Sequence, residues 1–220
     1  MPCKVIVVGG HTRSIGKTQL VCDLISAFPN ENWLAGKITQ YGHGVCAQNG
    51  EDCDCAPEEH VCAISWEQHA NETDSGRFLA AGAHRSFWLR TKQGFLAEGM
   101  PLLRDALRDA ENGVAPGVAT RLILESNTLL QFLKPSLYLM VLDPSKSDFK
   151  ESARLQMDRA SAFILRQPLS ISEGVNTLAA LPLPLLRNKP QFLQREGEAL
   201  PQALLDQVRG TIHDPASVSL

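Results

Sequence analysis

Ten consecutive residues near the start of the chain, Gly10, His11, Thr12, Arg13, Ser14, Ile15, Gly16, Lys17, Thr18 and Gln19, have the types and spacing to hold a phosphate chain. That task needs inward-facing backbone N–H groups and a helix N-terminus aimed at the anion. It also needs a lysine reaching the β and γ oxygens and a hydroxyl for Mg²⁺. Gly16-Lys17-Thr18 supplies the last three. The usual pattern, G-x-x-x-x-G-K-[ST], would place its first glycine where His11 stands; Gly10 leaves five residues in between. Residues Gly10–Gln19 are therefore expected to cradle a nucleotide, ATP or GTP, with Thr18 on the magnesium.

A second cluster is Cys46, Cys53, Cys55 and Cys62, with His43 and His60 beside them. Structural zinc sites normally use C-x(2–4)-C pairs, and this spacing is not one of those. Soft thiolates and imidazoles still favour zinc or an iron–sulfur cluster over Mg²⁺ or Ca²⁺, and in a reducing compartment metal is favoured over disulfides. From Ile38 to Gly76 there is no Lys or Arg, while eight acids fall in the same stretch. The rest of the chain is mildly basic, so an acidic Cys/His segment is set into it. The other reading of the segment is a reduced, solvated acidic loop.

These residues need a frame. Lys4–Val8 is a β-branched run ending at Gly9-Gly10, which reads as a buried parallel strand. Gly16–Phe28 carries an apolar stripe at helical spacing and stops before Pro29. A second strand is expected at Trp33–Thr39, ending near Lys37. Residues 40–73 show no periodicity and read as a long insertion. A helix at Ser75–Ala83, a strand at Ser86–Arg90 and an amphipathic helix at Phe95–Asn112 follow. Then come strands at Arg121–Leu124 and Leu137–Leu142, a helix at Ser152–Ala162 and a strand at Phe163–Arg166. Residues 168–220 read as a Pro-rich tail with a helix near Leu200–Arg209. Alternating strands and helices predict an α/β fold: one domain over residues 1–220, a doubly wound, mostly parallel sheet with a Cys/His-rich insertion. Ligands then belong at the carboxyl ends of the strands, where Glu125 and Lys37 fall.

The five-residue gap resembles the longer phosphate loop of dethiobiotin synthetase and its cobyric acid synthase relatives. Lys37 and the stretch Leu122-Ile123-Leu124-Glu125 are similar to that group's strand-end lysine and magnesium-binding strand. Asp74-Ser75-Gly76-Arg77 followed by Ala81-Gly82-Ala83 resembles a stretch of the molybdopterin-guanine dinucleotide biosynthesis B family, as does Lys37-Ile38. The resemblance implies a P-loop NTPase in which Thr18 and Glu125 hold Mg²⁺. It also implies that Lys17 meets the β/γ phosphates and that Lys37 contacts the transferred group or the acceptor. Residues 11–15 hold no carboxylate and Glu125 is followed by Ser126-Asn127, so the likeness reaches the nucleotide but not the diamine substrate. Asp74 and Arg77 read either as site residues or as a helix cap with a surface ion pair. Relatives of this type dimerise across their active sites, so a homodimer is the expected assembly.

Composition bounds the function. With 44% hydrophobic residues, 20% charged and a net charge of −3, the chain is ordinary for a globular protein. Nothing in it favours nucleic acid as a partner. No apolar run approaches the roughly 20 residues a bilayer requires, and Met1–Gly10 lacks a cleavage site, so a cytoplasmic location is expected. Two functions compete. One is a magnesium-dependent hydrolase or ATP-dependent ligase acting on a small-molecule acceptor. The other is a nucleotide-gated adaptor in metal or pterin-cofactor assembly, working through the Cys/His loop.

Overall fold

The computed structural model describes residues 3–42, 61–113, 115, 117–166 and 183–214. Its elements run β1 (Lys4–Gly10), α1 (Lys17–Ala27), β2 (Asn32–Tyr41), β3 (Cys62–Trp66), α2 (Asp74–Ala80), β4 (Arg85–Lys92), α3 (Leu96–Asn112) and β5 (Thr120–Glu125). They continue with β6 (Leu137–Leu142), α4 (Glu151–Arg154), β7 (Ala162–Leu165), α5 (Leu183–Arg187), β8 (Gln191–Leu193) and α6 (Gln202–His213).

The strands form one sheet in the order β3-β4-β2-β5-β1-β6-β7-β8. All neighbours are parallel except β3, which lies antiparallel on β4. The apolar run of β1 is explained by burial on both faces, since side chains alternate across a strand. Val5 and Val7 join Leu122, Leu124, Leu34 and Phe87 against the α3 stripe of Leu96, Met100, Leu103, Leu107 and Ala110. Ile6 and Val8 join Ile123, Leu139 and Val141 against Leu20, Val21, Leu24 and Ile25 of α1. On that same face lie Leu204, Val208 and Ile212 of α6.

The structure departs from the sequence reading in four places. β2 runs four residues past Lys37, so Lys37 sits inside the strand rather than at its end. The segment read as an aperiodic insertion contributes an edge strand, β3, and enters the sheet at Cys62. The helix expected at Ser152–Ala162 is a single turn, α4, followed by a 3-10 turn at Met157–Arg159. Within the segment read as a tail, β8 pairs in parallel with β7 and α6 fills the α1 face. A three-residue strand is too short for periodicity to mark it. No helix among the described residues is long and apolar enough to cross a membrane.

Candidate functional site

β1 lies at the centre of the sheet, where the chain switches sides: β2 to β5 lie to one side of it and β6 to β8 to the other. The carboxyl ends of β1 and its neighbours therefore open a crevice, the place where such sheets take ligands. A cleft of about 1350 Å³ lies there. It exceeds the roughly 300–1,000 Å³ of an ordinary small-molecule pocket, which leaves room for a second group beside a nucleotide.

The turn from β1 into α1 floors this cleft. Ser14 has φ 48° and Gly16 has φ 82°, so two left-handed residues turn the backbone just before the helix begins. Successive N–H groups in such a turn make a concave anion nest, and α1 adds the positive end of its dipole. α1 has no side-chain cap and no acid in its first turn, so its first N–H groups have no carboxylate competing for them. Asn127 clamps the start of the turn: it accepts from Gly10 N and donates to Gly10 O, each at 2.8 Å. A Cβ on Gly9 would lie 2.4 Å from Asn127 Oδ1 and 2.7 Å from Tyr138 Oη, so only glycine allows this approach.

Arg13, Ser14, Ile15, Gly16, Lys17, Thr18 and Gln19 line the cleft. Gly10, His11 and Thr12 do not, and the last two side chains turn away from it. Thr12 donates to Asp148, while the buried His11 ring packs on Phe149 with centroids 5.3 Å apart. Burial holds the pKa of His11 below the usual histidine value, against the backbone groups of Lys146 and Val141 and the acids Asp143 and Asp148, which raise it. His11 thus serves as a neutral aromatic spacer where the commoner loop has glycine. The segment 143–150 also holds the loop, with Lys146 Nζ donating to Ser14 O at 2.8 Å and Lys150 N to His11 O at 2.8 Å.

Lys17 Nζ donates to Thr12 O at 3.0 Å. Burial lowers its pKa; Glu125 opposes that shift, and Lys37, Lys146 and Arg13 reinforce it. A cation held under these conditions gains most from an arriving anion. Thr18 Oγ1 donates to Glu125 Oε2 at 2.7 Å. Glu125 ends β5 and stands in register with Lys37 on β2. Lys37 Nζ lies 3.7 Å from Glu125 Oε1 and also pairs with Asp74, the first residue of α2. Lys17, Thr18, Lys37, Asp74 and Glu125 therefore form one cluster, and its hydroxyl and carboxylate oxygens are the hard donors that Mg²⁺ prefers.

Asp74 and Arg77 do not pair with each other. Thr73 caps α2 through Gly76 N at 3.0 Å, Asp74 goes to Lys37, and Arg77 donates to Gln19 Oε1 at 2.6 Å. Cys22 is a core residue on α1, and burial pushes its thiol pKa up to about 11. Cys62 sits on β3 with its thiol 3.5 Å from Glu98 O. His43, Cys46, Cys53, Cys55 and His60 lie outside the described residues, and among the described residues no group of three or more His, Cys, Asp or Glu is placed to hold a metal.

Two site residues carried no motif signal. Asn127 stands two positions past the end of β5, and Arg166 follows β7 directly. Position alone could have drawn notice to both, because they follow carboxyl ends of parallel strands.

No family model and no curated protein matches the chain. Among solved structures, HypB from Helicobacter pylori in complex with nickel is 14% identical with a TM-score of 0.52, over 97% of this chain and 91% of that one. LpxK from Aquifex aeolicus in complex with ATP is 14% identical with a TM-score of 0.48, over 88% of this chain and 54% of that one. MobB from Bacillus subtilis is 14% identical with a TM-score of 0.41, over 97% and 99%. The likeness to HypB shows the fold, and it is the α/β, mostly parallel fold expected from the sequence.

Proposed function

We propose that the chain binds a nucleoside triphosphate with Mg²⁺ in the cleft above the β1–α1 turn and hydrolyses it or transfers its terminal phosphoryl group. The observation that carries this reading is the cluster of Lys17, Thr18, Lys37, Asp74 and Glu125 around one end of an anion nest. Phosphoryl transfer asks mainly for positioning and for charge neutralisation, and these residues offer both. Residues Arg13–Gln19 would wrap the phosphates, and Lys17 would reach the β and γ oxygens. Thr18 and Glu125 would hold the Mg²⁺, which when bound screens the developing charge on the phosphate oxygens. Lys37, held by Asp74 and Glu125, would meet the transferred group or the acceptor.

The test is the melting temperature of the purified chain with ATP or GTP, each with and without Mg²⁺. Stabilisation growing with the logarithm of nucleotide concentration is expected. No shift with either nucleotide would refute the reading.

A second reading is favoured by the Cys/His segment and by the fold shared with a nickel-bound neighbour. In it the nucleotide gates a metal- or cofactor-assembly step, with Cys46, Cys53, Cys55, Cys62, His43 and His60 as ligands for zinc or an iron–sulfur cluster. Phosphate release that needs an added small-molecule acceptor favours the first reading. Metal affinity that changes with nucleotide favours the second.

A further inference from the structure

The loop is held by one residue that the proposed chemistry leaves unused. Arg166 follows β7 and lines the cleft beside the β1–α1 turn. Its Nε donates to Ile15 O at 3.0 Å, its Nη2 to Gly16 O, and its Nη1 to Gln194 O at 3.3 Å. The guanidinium packs flat on Gly16, since a Cβ there would lie 2.3 Å from Nη2 and 2.7 Å from Cζ. Gly16 is therefore favoured by its left-handed φ, and any side chain there would displace the guanidinium.

A trans peptide is planar, with its carbonyl and the following N–H pointing in opposite directions. The Gly16 carbonyl also accepts from Leu20 N at 3.0 Å in the first turn of α1, and drawing it and the Ile15 carbonyl toward the guanidinium turns the N–H groups of Gly16 and Lys17 the other way. The third bond, to Gln194, ties the same fork to a segment whose next residues, Arg195 and Glu196, line the cleft.

We propose that Arg166 is a positioning residue for phosphate binding: its planar fork, rather than its charge, fixes the Ile15–Gly16 backbone so that two loop N–H groups face the nucleotide. The inference rests on the phosphate-loop reading above. A lysine keeps the charge but has no rigid fork to serve three carbonyls at once.

The experiment measures calorimetric affinity for nucleoside triphosphate, inorganic triphosphate and the bare nucleoside, each with Mg²⁺, in the wild type, Arg166→Ala, Arg166→Lys and Lys17→Met. Arg166→Ala should weaken both phosphate ligands by at least about tenfold, and Arg166→Lys should recover little of this. Nucleoside affinity should not change. Sub-denaturing guanidinium ion should restore triphosphate binding to Arg166→Ala and leave Lys17→Met unrescued. Wild-type affinity in Arg166→Lys would overturn the proposal, as would absence of guanidinium rescue. If Arg166→Ala does not fold, the lysine variant decides alone. A wild type that binds neither phosphate ligand overturns the phosphate-loop reading itself.

Discussion

Replacing Lys17 with Met should move two measurements in opposite directions. The ammonium is buried and donates to Thr12 O; burial, with Lys37, Lys146 and Arg13, outweighs the support its charge has from Glu125. Methionine keeps much of the stem and removes the charge. The lost hydrogen bond costs about 1 kcal/mol, and relief from burying a cation offsets it. The nucleotide-free variant should therefore melt no lower than the wild type. Binding should suffer, because each charge-assisted contact to a phosphate oxygen is worth about 1.5–3 kcal/mol, or roughly 10- to 150-fold in affinity. The sign with pH follows from linkage. Lys17 is depressed in the folded chain, so between its folded value and the ordinary value of 10.5 the unfolded chain binds more protons. The penalty is full below the folded value and shrinks as pH rises toward 10.5, so the variant's stability advantage should fade over that window. Thermal melts from pH 7 to 10.5, paired with calorimetric titration of triphosphate, test both halves. A variant that melts several degrees lower yet binds triphosphate normally would refute this account of Lys17.

Glu125→Gln keeps the shape of the side chain but removes a charge shared by Lys37 and Thr18, so Mg²⁺-dependent turnover should fall far more than metal-free nucleotide binding; steady-state rates and titrations without metal separate the two. Gly9→Ala should cost about 1–3 kcal/mol through overpacking on Asn127 and Tyr138, read as a drop of about 2–4 °C in Tm for each kcal/mol. Protein purified without chelator should carry about one zinc-like ion per chain, with affinity rising from pH 6 to pH 8 as thiol protons leave. Elemental analysis should find that ion missing from a Cys53→Ser, Cys55→Ser double variant.

The site was legible where chemistry and local sequence coincide. Gly16-Lys17-Thr18 announced itself because anion nest, lysine and hydroxyl all come from one strand–helix turn. Glu125 and Lys37 could be nominated from strand ends, yet their direct register across β2 and β5 is a tertiary fact. Asn127 and Arg166 were illegible because their partners are single backbone atoms, Gly10 N and O for one and the carbonyls of Ile15 and Gly16 for the other. A backbone group leaves no trace in residue identity. β1, α1 and α3 followed from periodicity, since each buries a face wide enough to set a repeat. β3 and β8 did not: β3 is only partly buried at the sheet edge and β8 is three residues long, so neither shows a hydrophobic rhythm.

The β1–α1 turn is made well before the residues that hold it. Asn127 lies 117 residues after Gly10, Lys146 lies 132 after Ser14, and Arg166 lies 150 after Gly16. The apolar face of α1 packs against α2, β1 and β5, and α6 joins the same cluster later in the chain. At ribosomal speeds of about 5–20 residues per second, roughly 8–30 s separate the synthesis of the loop from that of its arginine tether. During that interval the glycine-rich turn lacks the tethers that hold its shape for a phosphate. Nucleotide cannot template this turn as it is made; it meets a held loop only once Asn127, Lys146 and Arg166 have followed.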